Sequence, residues 1–147
     1  MIQVICPVCG AALEPQGTAW RCVQGHCFDV ARQGYVNLLT VTQKHSRHPG
    51  DTREMVAARR AFLDAGWYAP IAGALADLVR RFCPETASVL DAGCGEGYYL
   101  SQLGWVPERW GIDISRDAVR YAAARDRGAH WLTATAAHLP FANGGFD

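Results

Sequence analysis

The sequence lacks any long uninterrupted run of apolar residues. No segment approaches the roughly 20 consecutive apolar residues that a membrane-spanning helix needs. The amino terminus also lacks the basic-then-apolar pattern of a secretory signal peptide. These two absences predict a cytoplasmic protein with no membrane partner.

An excess of charge of either sign is also missing. The chain of 147 residues carries 14 basic and 14 acidic residues, so its formal net charge is zero. This balance provides no global electrostatic argument for binding nucleic acid or membranes. Residues 1–66 hold seven Lys/Arg against five Asp/Glu, whereas residues 67–147 hold seven against nine. The first part is therefore the better candidate for a polyanion-binding face.

Six cysteines are present, and their spacing indicates metal binding because disulfides are rare in a reducing compartment. Cys6 and Cys9 form one pair at ligand spacing, and Cys22 and His26 form a second pair twelve residues later. Four such ligands close a tetrahedral structural Zn²⁺ site. A stretch of about 30 residues buries too little apolar surface to fold alone, so the metal would supply the missing free energy. Cys27 remains an alternative to His26.

The two other cysteines, Cys83 and Cys94, stand apart from this cluster and are interpreted as ordinary small residues. Within the cysteine-rich segment, residues 18–21 and 27–30 are predicted to pair as two short strands of a ribbon. The following segment, 35–39, is apolar enough to dock this ribbon against another part of the protein.

Residues 43–50 form a polar, cationic stretch that ends in a Pro-Gly turn signal. This stretch could contact phosphates, or it could be a solvated linker, and the sequence leaves both interpretations open. A helix is then predicted to begin at the Asp-x-x-Glu capping box of residues 51–54 and to end at Gly66. A second helix should run from Pro70 to Pro84, with an apolar stripe formed by Ile71, Leu75, Leu78, Val79 and Phe82.

From Ser88 onward, strands alternate with helices. Strands are predicted at 89–91, 110–113 and 130–133, with a short helix over 98–103 and a longer one capped by Ser115 that reaches Gly128. Strands separated by helices imply a parallel sheet with right-handed crossovers. The predicted fold class is therefore α/β: a zinc-ribbon-like module followed by the first half of a Rossmann-like sheet.

A glycine-rich turn follows the first of these strands. Asp91 precedes glycines at 93, 95 and 97, whereas a dinucleotide site would show Gly-x-Gly-x-x-Gly. This turn favours S-adenosylmethionine, because a carboxylate at the strand end can orient a cationic methionine group. Asp113 ends the next strand and could accept both ribose hydroxyls, although a helix-capping role is an alternative. The predicted cofactor residues from spacing are thus Asp91, Gly93, Gly95, Gly97 and Asp113.

Five segments together resemble the 23S ribosomal RNA guanine-N1 methyltransferases, a family that includes macrolide-resistance relatives. They are Cys-Pro-Val-Cys-Gly at 6–10, Gly-Tyr-Val-Asn-Leu-Leu at 34–39, Pro-Gly-Asp at 49–51, Arg-Arg-Ala-Phe-Leu-Asp-Ala-Gly at 59–66 and Asp-Ala-Gly-Cys-Gly-Glu-Gly-Tyr-Tyr at 91–99. The resemblance runs from Cys6 to the last residue, in the family's order.

The resemblance implies a zinc-binding RNA-recognition module over 1–40, a linker and helix over 41–66, and a partial methyltransferase domain over 67–147. It implies Zn²⁺ on Cys6, Cys9, Cys22 and His26. It also adds Tyr68 and Glu96 to the S-adenosylmethionine contacts and makes 23S rRNA the partner. The catalytic residue stays unknown, and the sequence leaves a homodimer open.

Residues 139–147 look like the approach to a fourth strand, so we expect a truncated methyltransferase that is inactive alone. A sheet that ended there would expose the edge of its first strand and half of its apolar faces. Two alternative functions remain: a non-catalytic zinc-ribbon module that binds RNA, and a small-molecule methyltransferase with a purely structural finger.

Overall fold

The computed structural model describes residues 2–85 and 87–147. A three-stranded antiparallel ribbon comes first, with strands β1 (Leu13–Gln16), β2 (Ala19–Cys22) and β3 (Cys27–Asp29) in that order. The predicted pairing of β2 with β3 is confirmed, with Trp20 opposite Phe28. Strand β1 has no clear alternation of apolar residues and was not predicted.

The second sheet is parallel and has the spatial order β4-β7-β6-β5. Its strands are β4 (Tyr35–Asn37), β5 (Ser88–Ala92), β6 (Glu108–Asp113) and β7 (His130–Thr133). The three strands predicted after Ser88 are confirmed. The apolar segment predicted only to dock the ribbon instead joins the sheet, because β4 pairs with β7 and places Val36 beside Leu132.

The helices are α1 (Arg53–Asp64), α2 (Ala69–Phe82), α3 (Tyr98–Ser101) and α4 (Arg116–Arg125), and a 3-10 turn spans Val41–Gln43. The predicted capping box at Asp51 is wrong by one residue, because the Thr52 hydroxyl accepts the Met55 N–H and caps α1. Ser115 caps α4 as predicted. No helix in the described part of the chain is long and apolar enough to cross a membrane.

The zinc-ribbon-like module covers one face of the parallel sheet. Trp110, Ile112 and Leu132 on that face share a buried core with Val4 and Leu13 of the module. The contact continues through the carboxyl-terminal segment, where the Ile5 N–H donates to the Pro140 carbonyl at 2.9 Å. The prediction that half of the apolar faces would be exposed is therefore wrong for this face, since the ribbon fills the place of a helical layer.

Helices α3 and α4 cover the opposite face, where Trp131 packs among Leu100, Val119 and Ala122. Trp131 can lie flat there because its neighbour in β6 is Gly111. A Cβ on Gly111 would come within 2.3 Å of the indole ring.

Helix α2 and strand β5 form the least covered side of the molecule. The predicted apolar stripe of α2 is largely exposed, and the helix instead buries the small residues Ala72 and Ala76. Strand β5 is the outer strand of the sheet, and among the described residues it pairs along its length only with β6. Near its start, the Asp147 N–H donates to the Ser88 carbonyl at 3.1 Å.

Candidate metal centre and cofactor site

The ribbon brings together the four side chains that the spacing predicted as metal ligands. The ligand atoms of Cys6, Cys9, Cys22 and His26 all lie within 4.8 Å of one another. Two tight turns present them: one closes with the Gly10 N–H on the Cys6 carbonyl, and the other with the Gly25 N–H on the Cys22 carbonyl.

The distances within this cluster have the dimensions of a zinc coordination sphere. A tetrahedral site with Zn–S bonds of about 2.3 Å separates two sulfurs by about 3.8 Å, and separates sulfur from nitrogen by about 3.6 Å. Here the Cys9 and Cys22 sulfurs are 3.7 Å apart. His26 Nδ1 lies 3.6 Å from Cys6 Sγ and 3.4 Å from Cys22 Sγ. The residues therefore fit Zn²⁺ without rearrangement.

The environment of Cys22 also favours a metal-binding thiolate. Burial opposes ionisation, but hydrogen bonds from the backbone of His26 and Gln24 outweigh it and lower the pKa of the Cys22 thiol to about 6. Cys27, the alternative to His26, is exposed on β3 and is not part of the cluster.

A cavity of about 480 Å³ lies at the carboxyl end of β5, a volume within the usual range for small-molecule sites. Four of the predicted cofactor residues line it: Tyr68, Gly93, Gly95 and Glu96. The glycines have left-handed backbone conformations, with φ of +95° at Gly93 and +55° at Gly95. A side chain would strain the turn and fill the approach to the cavity.

Asp91 lines a neighbouring cavity of about 250 Å³, and Tyr99 lies between the two cavities. The Asp91 carboxylate accepts no hydrogen bond from the described residues. Burial, and then the negative charge of Asp113, raise the pKa of Asp91. A bound cation beside Asp91 would relieve both costs, since it would compensate the buried negative charge.

Asp113 organises the glycine turn. One of its oxygens accepts the Gly95 N–H at 2.9 Å, and the other accepts the Ser115 N–H at 2.8 Å. The turn is also held to β6 by the N–H groups of Gly93 and Cys94, which donate to the Ile112 carbonyl. Each Asp113 oxygen keeps lone-pair capacity for a ligand hydroxyl.

Glu96 and Gly97 connect the turn to α4. Glu96 is only 1% exposed and forms an ion pair with Arg125 of α4, which also contacts Asp64 of α1 at 2.8 Å. Gly97 packs so closely on α4 that a Cβ would come within 2.8 Å of Trp131 and 3.0 Å of Ala122.

Several residues of the cavity were missed by the sequence analysis, including Met55, Arg59 and Phe62 of α1. Arg125 was also missed. No local pattern could have shown them, because α1 reaches the glycine turn only through the tertiary fold. The arginine that pairs with Glu96 is 29 positions away in the chain.

The fold, the metal cluster and the cavity define a class of protein: a zinc-ribbon module packed on an α/β sheet whose glycine-rich turn borders a small-molecule cavity. The family described as RlmA, N-terminal, whose model is a zinc ribbon, matches residues 4–47. The methyltransferase domain family matches residues 89–147. A methyltransferase domain of this kind implies the use of S-adenosylmethionine.

The chain is similar to the 23S rRNA (guanine(748)-N(1))-methyltransferase of Streptomyces fradiae, with 45% identity over 80% of this chain and 43% of that protein. Two further relatives carry the provisional name of 23S rRNA (guanine-N(1)-)-methyltransferase. The one from Micromonospora griseorubida is 41% identical over 94% of this chain and 53% of its own length. The one from Bacillus subtilis is 33% identical over 97% of this chain and 53% of its own length.

These matches confirm the predicted resemblance to the zinc-ribbon 23S rRNA guanine-N1 methyltransferases. The chain spans about half the length of the curated relatives it matches.

Proposed function

We propose that this chain is the metal-binding and cofactor-binding part of an S-adenosylmethionine-dependent methyltransferase that methylates guanine N1 in 23S rRNA. The observation that carries the proposal is the presence of both sites on one sheet. A cluster of zinc-like dimensions packs on its face, and a cavity with a glycine turn opens at its carboxyl end. The names of the relatives support the RNA substrate.

In this proposal, residues 1–40 form the zinc-binding RNA-recognition module, whose last strand β4 extends the parallel sheet. Residues 41–66 form the linker and helix, and residues 67–147 form part of the methyltransferase domain. Zn²⁺ is held by Cys6, Cys9, Cys22 and His26. The role of the metal is structural, because four protein ligands leave no open coordination position for a substrate.

S-adenosylmethionine would be held in the cavity beside the glycine turn. There it would supply the methyl group: its S–CH3 bond would break as the bond to guanine N1 forms, which leaves S-adenosylhomocysteine and releases the N1 proton. Asp91 orients the cationic methionine portion, and Asp113 accepts the ribose hydroxyls while it holds Gly95 in place. Tyr68, Gly93, Gly95 and Glu96 shape the wall, and Gly97 keeps the turn close to α4.

The protein contributes chiefly by positioning the reactants, which lowers the barrier without a covalent enzyme intermediate. The guanine N1 edge is not reachable inside a stacked duplex, so the target base must leave its stack. A loop or hairpin in the RNA therefore suits this reaction better than a continuous helix.

Asp91→Asn separates a binding role from a structural one. Because the Asp91 carboxylate has no hydrogen-bond partner among the described residues and its pKa is raised by burial, we expect the variant to unfold at the same temperature or higher. We expect its affinity for S-adenosylmethionine, measured by calorimetry, to fall at least about tenfold. Asp77→Asn, an exposed carboxylate on α2, is the matched control. Unchanged affinity in Asp91→Asn would remove Asp91 from the site.

Methyl transfer is tested with labelled S-adenosylmethionine and 23S rRNA, followed by nucleoside analysis for N1-methylguanosine. The assay is run on the 147 residues and on the product of the complete reading frame. Failure of the complete product to modify the RNA would contradict the proposal. RNA binding without S-adenosylmethionine binding would instead favour a non-catalytic RNA-binding module.

A further inference from the structure

A second cavity, of about 410 Å³, lies at the carboxyl ends of β4, β6 and β7, away from the glycine turn. Three separate parts of the chain bring cationic side chains to its wall. Lys44 and Arg47 come from the loop after the 3-10 turn, Arg53 from the start of α1, and Arg116 from the start of α4. Their convergence requires the tertiary fold, since positions 44 and 116 are far apart in the chain.

The four cations are available for a ligand. None of Lys44, Arg47, Arg53 and Arg116 forms an ion pair within the described residues, and all four are exposed. Three carboxylates, Asp51, Glu54 and Asp117, also line the cavity. Two of them are already paired with arginines outside it, Asp51 with Arg59 at 3.3 Å and Asp117 with Arg120 at 3.4 Å. The unpaired charge at the cavity is therefore predominantly positive.

The floor of the cavity adds uncharged donors. The Thr133 side chain lies in the wall, is 1% exposed, and its hydroxyl has no hydrogen-bond partner among the described residues. A buried hydroxyl of this kind normally has a partner. Asn37 uses its side-chain oxygen for the Leu39 N–H at 3.2 Å, which leaves its amide N–H groups for another acceptor. The first N–H groups of α4 also lack intrahelical acceptors at this point.

We propose that this cavity binds a phosphodiester of the RNA substrate and so fixes the path of the RNA between the zinc ribbon and the cofactor cavity. Arginine, lysine, hydroxyl and helix amino-terminal N–H groups are the donors that proteins use for nucleic-acid phosphates. The cations are exposed rather than enclosed, which suits a polymer that continues into solvent on both sides. The identity of the polymer rests on the proposed function, whereas the anion site rests on the geometry.

The test measures binding of an RNA hairpin to the 147-residue protein by fluorescence anisotropy at several salt concentrations. We expect the double variant Lys44→Gln/Arg47→Gln to bind about tenfold more weakly near 0.1 M salt. The slope of log affinity against log salt should fall by about 1.4, because each lost phosphate contact removes about 0.7 on a single strand. The control is Arg81→Gln/Arg127→Gln, which makes the same charge change at exposed positions outside the cavity and should bind as the wild type does.

Thr133→Val provides a readout that a merely structural role would not give. Removal of an unpaired buried hydroxyl should leave the unfolding temperature unchanged or raise it. RNA affinity should nevertheless fall severalfold if the hydroxyl contacts the ligand.

Equal affinity and equal salt slope in the cavity variants and the control would overturn the inference, as would an absence of RNA binding by the wild-type chain. Neither result would affect S-adenosylmethionine binding or methyl transfer by the complete product, so the two proposals fail separately. Conversely, a loss of RNA affinity confined to the cavity variants would support the anion site even if no methyl transfer were found.

Discussion

In the ribbon, all four candidate metal ligands lie between positions 6 and 26, whereas the wall of the cofactor cavity draws on residues from Met55 to Tyr99. The first site is built from two tight turns whose geometry is local. The second depends on the distance between α1 and the glycine turn, which is maintained by Arg125 between Asp64 and Glu96. Metal binding at the ribbon should be lost when one of the four coordinating side chains is replaced. Ligand binding at the cavity should also be weakened by substitutions well outside the cavity.

The largest effect is expected from breaking the metal cluster. Cys22→Ser or His26→Ala should abolish binding of about one equivalent of zinc and lower the free energy of unfolding by more than about 5 kcal/mol, because structural zinc supplies most of the folding free energy of such modules. The ribbon core is continuous with the sheet, so the loss should spread beyond the module.

Metal analysis and urea denaturation measure this result. Cys27→Ser is the matched control, since this thiol is exposed and outside the cluster, and it should keep both zinc and stability. Loss of zinc in Cys27→Ser with retention in His26→Ala would reverse the assignment of the fourth ligand.

The next largest effect is expected at Arg125. Arg125→Met should lower the free energy of unfolding by about 3 kcal/mol, because it leaves the Glu96 carboxylate buried without its counter-ion. Combining it with Glu96→Gln should recover a large part of the loss, as a double-mutant cycle would show. S-adenosylmethionine affinity should fall in the single variant while zinc content stays at wild-type level. Loss of zinc in Arg125→Met would show that the two sites are not independent.

A smaller effect is expected from the packing between β6 and β7. Gly111→Ala should cost about 1–3 kcal/mol, since its Cβ would overlap the Trp131 ring at 2.3 Å. A Cβ at Gly73 in α2 meets no atom of the described residues within 4 Å, so Gly73→Ala should stabilise the protein by up to about 1 kcal/mol. Thermal unfolding of the two variants gives the comparison, and equal effects would contradict the close packing at Gly111.

The smallest effect is expected on the acid sensitivity of stability, through the contact that Glu108 of β6 makes with the amino-terminal segment. Glu108 accepts the Ile2 N–H at 3.0 Å and the Trp110 indole N–H at 3.3 Å. Burial raises the pKa of Glu108, but the two hydrogen bonds outweigh burial and hold this pKa below its usual value. A lowered carboxylate pKa contributes stability that is fully present above the unfolded-state pKa of about 4.5 and is lost as the pH falls through the lowered folded-state pKa.

Glu108→Gln should therefore lose at most about 1 kcal/mol at neutral pH and show a flatter decline of stability between about pH 5 and pH 3. Urea denaturation across this range measures the slope. An identical slope in Glu108→Gln and wild type would show that other carboxylates, such as Asp64, account for the acid sensitivity.

The sequence was sufficient for those parts of the fold whose signals are local. The alternation of strands and helices after Ser88 was predictable, and Ser115 and Gly66 marked helix ends by ordinary capping chemistry. The capping residue of α1 was wrong by one position, because Asp51 and Thr52 are both good caps and only the backbone path distinguishes them. The apolar stripe of α2 was wrongly expected to be the buried face. The helix instead buries its small residues Ala72 and Ala76, which allow it to approach the rest of the protein most closely.

By itself, the sequence determined the metal cluster, the glycine turn and the family resemblance, since each depends on spacing within a few tens of residues. Only the tertiary structure decided that β4 extends the parallel sheet and that the ribbon serves as the covering layer of one face. It alone also decided that Glu96 faces Arg125 and that cations from three segments converge on one cavity. These contacts join residues that are distant in the chain, and their partners are selected by packing, which leaves no periodic or local signal in the sequence.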